Sequence, residues 1–173
     1  NETKYKNIRG ILVDPSCSGS GMISRLDHLA DGKGSNDGER LKKLSNFQIS
    51  CVKHALSFPS VKYVTYSTCS IHREENEAVI ASVLKDCPDF DVKYALSNWS
   101  RRGLDDDGLS SEQSDALVRV DPKEDMTNGF FVALLARKGM SVVSHKKKKM
   151  RERRKRRRKQ NSSEKIAKKP KQS

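Results

Sequence analysis

The order of apolar runs predicts an α/β fold, the second half of an open sheet with an antiparallel hairpin at one edge. Three observations carry that prediction. Short β-branched runs alternate with longer segments of helical period. Proline closes three of the segments, at Pro15, Pro59 and Pro88. The chain then ends its apolar part on two consecutive strand-like runs.

Ile8 to Val13 holds four apolar residues in six and stops at Asp14-Pro15, as a buried strand does when it meets a residue that cannot donate to a ladder. The next stretch, Ser16-Cys17-Ser18-Gly19-Ser20-Gly21, is a small-residue loop of the kind that can bring backbone amides close to a ligand or simply turn the chain. Asp27 to Gly38 carries Gly32, Gly34, Ser35 and Asn36 and is expected to be an exposed, mobile loop. From Glu39 the pattern becomes helical, with Leu41, Leu44, Phe47, Cys51, Val52, Ala55 and Leu56 on one face. Cys51 is assigned to the core on that spacing, and His54 to the helix surface.

Val61 to Tyr66 is β-branched and aromatic, a strand that delivers Ser67 to Ser70 at its C-terminal end. Glu74-Glu75-Asn76-Glu77 then reads as the acidic first turn of a helix, followed by Val79, Ile80, Val83 and Leu84 and closed by Cys87-Pro88. Cys87 is expected to be structural. Phe90 to Tyr94 is a short strand, Ser97 to Asp115 a polar, acidic insertion with the sole Trp, Trp99, and Ala116 to Asp121 and Gly129 to Arg137 are the closing strands.

The chain has 173 residues, 34% hydrophobic content and a net charge of +13. The charge is unevenly placed. Residues 144–173 hold 16 Lys and Arg against 2 Glu, whereas residues 1–143 hold 19 Lys and Arg against 20 Asp and Glu. The expected domains are therefore a near-neutral folded part over 1–140 and a basic, disordered tail over 141–173, where 12 of the 14 residues from Lys146 to Lys159 are basic. Such a run attracts nucleic acid and suits nuclear or nucleolar import. No apolar run approaches the ~20 residues that span a bilayer, so no membrane partner is expected. The cysteines stand 34, 18 and 18 positions apart, without the close pairs of a structural zinc site, so no metal is expected and the thiols should be reduced.

Two cysteines occupy strand ends. Cys17 follows the first strand and Cys69 the second, and in open α/β sheets ligands bind outside those carboxyl ends. A nucleophilic cysteine must be reachable and partly thiolate, and the approaching helix start after Cys69 would favour negative charge.

The residues around the two thiols add a family. Val13-Asp14-Pro15-Ser16-Cys17-Ser18-Gly19-Ser20-Gly21-Met22 and Thr65-Tyr66-Ser67-Thr68-Cys69-Ser70, the latter followed by Glu75-Asn76-Glu77, resemble motifs IV and VI of the Nop/Sun family of RNA cytosine-5 methyltransferases. Asn128-Gly129-Phe130-Phe131 resembles the family's later Asp-Gly-Phe-Phe segment, and the Pro-Ser-Cys form of the first motif resembles the branch that modifies large-subunit rRNA. The resemblance runs from about Ile8 to Arg137. It implies the C-terminal half of a Rossmann-like class I methyltransferase sheet, S-adenosylmethionine as cofactor and rRNA as partner.

By the same resemblance Cys69 is the thiolate that adds to cytosine C6, Cys17 assists release, and Asp14 lies at the cofactor and target base. The family's glycine-rich cofactor loop belongs upstream of Ile8. We therefore expect this chain to need an upstream half of the same domain and to have little or no activity alone.

Three other readings fit less of the chain. A cysteine hydrolase would need His28, His54 or His72 set toward Cys69, and no local signature does so. A serine hydrolase elbow fails because Cys17 stands where its first glycine would be. A non-catalytic RNA-binding or ribosome-assembly module would rely on the basic tail and leave Cys69 dispensable.

Overall fold

A computed structural model of the chain describes residues 2–22, 37–105 and 108–139. The loop expected from Asp27 to Gly38 lies almost wholly outside these residues, and the basic tail, 141–173, lies outside them entirely. After a 3-10 turn at Glu2–Tyr5 come strand β1 (Gly10–Val13), helix α1 (Asp37–Leu56), strand β2 (Tyr63–Thr68) and a second 3-10 turn (Arg73–Glu75). Helix α2 (Glu77–Asp86), strand β3 (Phe90–Lys93), helix α3 (Ser111–Ala116) and strands β4 (Val118–Val120) and β5 (Phe130–Arg137) complete the order.

The sheet runs β1-β2-β5-β3, with β4 also paired to β5. β1 and β2 are parallel, Val13 opposite Tyr66, so both C-terminal ends finish at one level. β5 is antiparallel to β2 along its whole length, from Tyr63 opposite Ala136 to Thr68 opposite Phe131. On its other side, β5 pairs with β3 through Leu134 to Arg137 and with β4 through Phe130 to Val132, so two short strands lie end to end along one long partner. The expected hairpin is β4-β5, and its second strand reaches inward to separate β2 from β3.

One sheet face carries the core. Val64 and Tyr66, Val92, and Phe131, Ala133 and Leu135 share it, in step with the two-residue period of strands. α1 contributes Val52, Ala55 and Leu56 and α2 contributes Val79, Ile80 and Val83, at the three- and four-residue spacings that make one helical stripe. Burying each such side chain is worth roughly 1.5–3 kcal/mol, which sets the register against a one-residue slip.

Several expectations shift. Phe47, read as core, is 52% exposed. The innermost place on that stripe belongs to Gln48, which is fully buried. Cys51 is half-buried and lines an open cleft beside β1 instead of sitting in the core, while exposed His54 sits edge-on to Phe58 as a surface residue. Cys87, half-buried, packs against the core as expected. The segment read as an acidic insertion folds in part as α3, which opens on a capping box between Ser110 and Gln113. Trp99 donates its indole N–H to the Arg119 carbonyl at 2.7 Å, which ties that segment to β4.

The outer edge of β1 has no strand partner among the described residues. Beside it Ile8, Ile11, Leu12, Val13, Phe47 and Phe58 line an open apolar cleft of about 630 Å³, and Leu12 is 72% exposed. Among the described residues, no helix is long and apolar enough to cross a membrane.

Candidate active site

Parallel pairing of β1 with β2 brings the two cysteine loops together. Cys17 Sγ lies 3.2 Å from Cys69 Sγ, although 52 residues separate them in the chain. Both thiols are half-buried and free. Asp14, one residue past the end of β1, accepts a hydrogen bond from Ser67 Oγ at 3.0 Å and stands exposed at the mouth of the cleft. The three residues singled out in the sequence thus meet at one end of the sheet.

Cys69 is not at a helix start. The α-helix begins at Glu77, eight positions on, and a 3-10 turn fills the interval where the helix was expected. The dipole argument for a thiolate therefore fails, since that effect fades within one turn. Burial, then the hydrogen bond and charge of Cys17, then Asp14, push the Cys69 thiol up to about 11, against a smaller backbone contribution in the other direction. At neutral pH it is a thiol, and any addition reaction must remove its proton.

The serine- and glycine-rich loop spends at least three of its amides, those of Ser18, Ser20 and Gly21, on the protein itself. Ser18 N–H donates to Glu75 Oε1 at 2.9 Å, and Gly21 N–H to the Cys69 carbonyl at 2.9 Å. Gly21's own carbonyl accepts from Gly129 N–H at 2.7 Å. That places the Asn128-Gly129-Phe130-Phe131 segment beside both cysteine loops, with three backbones in contact. A Cβ on Gly21 would fall 2.5 Å from the Gly129 oxygen and 2.8 Å from the Cys69 oxygen, so only glycine fits without displacing main chain.

Sequence reasoning missed the two acids behind Cys69. Glu75 and Glu77, read as part of the acidic first turn of a helix, are both fully buried. Glu75 accepts from Ser18 Oγ at 2.6 Å and from Gln48 Nε2 at 2.9 Å besides the Ser18 amide. Burial alone would raise its pKa, but these bonds, with Ser70 adding to them, outweigh burial and hold the carboxyl below its usual range. Glu77 forms a two-bond pair with Arg119, Nε to Oε1 at 2.6 Å and Nη2 to Oε2 at 2.7 Å, and also accepts from the Leu104 amide. Arg119 Nη1 donates to the Ile71 carbonyl as well, so β4 braces the chain just past Cys69.

Asn76, between the two acids, accepts from Thr68 Oγ1 at 2.6 Å and donates to the Ser70 carbonyl at 2.9 Å. The Tyr66 hydroxyl donates to the Glu75 carbonyl at 2.6 Å, and burial, then Glu75, hold that phenol un-ionised. Two sequence signals bore on this network: the Glu75-Asn76-Glu77 run that accompanies the second cysteine motif, and Gln48, an amide four residues before Val52 on an otherwise apolar stripe. Among the described residues, no group of three or more His, Cys, Asp or Glu could hold a metal ion.

Residues 2–136 match the family described as 16S rRNA methyltransferase RsmB/F. The chain is 44% identical over 136 residues to the 25S rRNA (cytosine-C(5))-methyltransferase rcm1 of Schizosaccharomyces pombe, covering 76% of this chain and 30% of that protein. It is 46% identical over 144 residues to the 25S rRNA (cytosine-C(5))-methyltransferase NSUN5 of Arabidopsis thaliana, covering 79% and 24%. Among solved structures, a methyltransferase homolog protein of Pyrococcus horikoshii superimposes with a TM-score of 0.59 at 27% identity, covering 76% of this chain and 39% of that one. The chain thus spans less than a third of the length of these two curated relatives.

Proposed function

Because this chain belongs to the RsmB/F family of rRNA methyltransferases, we propose that residues 1–140 are the C-terminal part of a catalytic domain. That domain methylates C5 of a cytosine in large-subunit rRNA. The observation that carries the reading is the 3.2 Å contact between Cys17 and Cys69 at paired strand ends. Cytosine C5 is too weak a nucleophile to take a methyl group directly. In this reading Cys69 sulfur bonds to C6 after losing its proton, the C5–C6 electrons move onto C5, and C5 becomes able to attack an electrophilic methyl. After transfer the C5 proton leaves, the sulfur–C6 bond breaks, and Cys69 departs as thiolate. Cys17, touching the departing sulfur, assists that release.

S-adenosylmethionine would supply the methyl as a sulfonium electrophile. The described residues fit it in part. Asp14 offers a carboxylate at the mouth of the apolar cleft, suited to a charge-assisted hydrogen bond with the cofactor or the base. The Ser18, Ser20 and Gly21 amides are engaged internally and offer it nothing. The rest of the cofactor site is assigned to an upstream half of the same domain. Residues 141–173 act as a basic tail that attracts rRNA through phosphate contacts without sequence preference, in the nucleus or nucleolus.

The test is trapping on RNA containing 5-azacytidine, which has no C5 proton to lose. With the chain joined to an upstream half and given S-adenosylmethionine, a covalent adduct is expected that vanishes in Cys69→Ala and persists in Cys17→Ala. One observation favours a second reading, an RNA-binding or assembly module without catalysis: the Cys69 thiol is pushed up to about 11. No adduct, with RNA binding lost only on deleting Lys146 to Lys159, would select it.

A further inference from the structure

Cys17 sits on a loop between two flanking residues, each gripped by one of two linked side chains. On one side the Ser16 carbonyl accepts from Gln48 Nε2 at 3.1 Å. On the other, Ser18 gives both its amide and its hydroxyl to the Glu75 carboxylate. Gln48 Nε2 also donates to Glu75 Oε1, so the two grips are one connected unit. Glu75 in turn lies six residues past Cys69, and Ser70 Oγ, beside Cys69, stands 3.3 Å from Ser18 Oγ and 3.2 Å from Ser20 Oγ.

All the groups facing the carboxylate are donors, namely an amide N–H, a hydroxyl and a side-chain NH₂. A carboxylate accepts all three, whereas a carboxamide keeps the two bonds to one oxygen and loses the third, because its NH₂ meets the Ser18 hydroxyl and turns that proton away towards Ser20 or Ser70. Among the described residues Glu75 has no cationic partner within ion-pair distance, unlike Glu77 with Arg119. Burying a charge is costly unless hydrogen bonds or a counter-ion compensate it, so here the bonds to Ser18 and Gln48 carry that compensation.

We propose that Glu75 is the positioning residue that holds Cys17 against Cys69. It acts through Ser18 and Gln48, touching neither sulfur. The purpose given to that contact rests on the catalytic reading above, but the contact itself can be measured without methyl transfer.

Phenylarsine oxide bridges two neighbouring thiols. Both S–H bonds break, two As–S bonds form, and the arsenoxide oxygen leaves as water, with no change in oxidation state. In the full chain carrying Cys51→Ser and Cys87→Ser, only Cys17 and Cys69 remain to react. The readout is the bridging rate divided by the rate at which iodoacetamide alkylates Cys69, with circular dichroism confirming the fold.

Glu75→Gln is expected to lower that ratio about tenfold or more, since ångström-scale misplacement of paired groups costs orders of magnitude in rate. Glu75→Asp, still an acceptor on both oxygens, should fall between. Should Glu75→Gln fail to fold, Ser18→Ala decides, with a drop of several-fold expected. A ratio within twofold of the parent in every folded variant overturns the proposal. Slower bridging combined with no RNA adduct in the joined enzyme would keep this role for Glu75 and remove the catalytic reading. Unchanged bridging with a normal adduct would do the reverse.

Discussion

Replacing Gly21 with alanine adds one methyl group at the point where three backbones meet. The new Cβ would lie 2.5 Å from the Gly129 oxygen and 2.8 Å from the Cys69 oxygen. Both obstacles are main chain, so neither can swing aside as a flexible side chain would. Overpacking of this kind costs about 1–3 kcal/mol. Relieving it lengthens the Gly21-to-Cys69 and Gly129-to-Gly21 hydrogen bonds, now 2.9 and 2.7 Å, each worth about 0.5–1.5 kcal/mol net. Against this, alanine restricts the unfolded chain and returns about 0.4–1 kcal/mol. The balance is a loss of about 2–4 kcal/mol. With a urea slope of about 2 kcal/mol per molar, the unfolding midpoint should fall by about 1–2 M. Gly38 is the control, because a Cβ there meets nothing within 4 Å and the site is in the first turn of α1. Gly38→Ala should raise the midpoint, by up to about 1 kcal/mol of helix propensity. Trp99 fluorescence and circular dichroism would follow both transitions. Equal midpoints for the two variants, or a Gly21→Ala midpoint at or above the parent's, would refute the reasoning.

Arg119→Met leaves the fully buried Glu77 without its cation and should cost about 3–5 kcal/mol in the same urea experiment, part of it regained by adding Glu77→Gln. Cys69 alkylation by iodoacetamide should rise about tenfold per pH unit from pH 7 towards 10, since only the thiolate reacts. Cys17→Ala should speed it at pH 8 by removing two influences that hold the thiol up, and an unchanged rate would contradict that. The raised Cys69 value also stabilises the fold fully below the free-thiol range near 9 and loses that stabilisation as pH climbs towards 11. The urea midpoint should therefore decline more gently over that window in Cys69→Ser. Leu12→Lys, on the edge of β1 that has no strand partner among the described residues, should reduce self-association in sedimentation runs at no cost in stability.

Period and punctuation were enough to place every strand within about two residues, because β-branched runs ended by Asp14-Pro15 or followed by Cys69-Ser70 have few other ways to fold. The meeting of Asp14, Cys17 and Cys69 was legible for the same reason, since parallel strands end together. The burial of Glu75 and Glu77 was not. Whether a carboxylate faces water depends on which donors surround it, and those donors, Ser18 and Arg119, lie 57 and 42 positions away. Phe47 and Gln48 changed places for a related reason: the apolar stripe on α1 is broad enough that a spacing argument cannot choose between adjacent positions. The inward place of β5 is likewise a property of pairing, which no local pattern encodes.

β3 and β4 share one side of β5, the first against Leu134 to Arg137 and the second against Phe130 to Val132. The chain therefore leaves the sheet after Lys93, opposite Leu134, and returns to the same strand at Val118, opposite Val132, two residue positions further along. What happens between those points is, for the sheet, a parenthesis. Sequence can be added to it without shifting the register of any strand or moving Gly129 from Gly21, provided that the Leu104 amide still reaches Glu77 and the Trp99 indole still reaches the Arg119 carbonyl. A length difference that keeps those two bonds leaves the site in place, so this is where a reporter peptide can be spliced in while both thiols stay where they are.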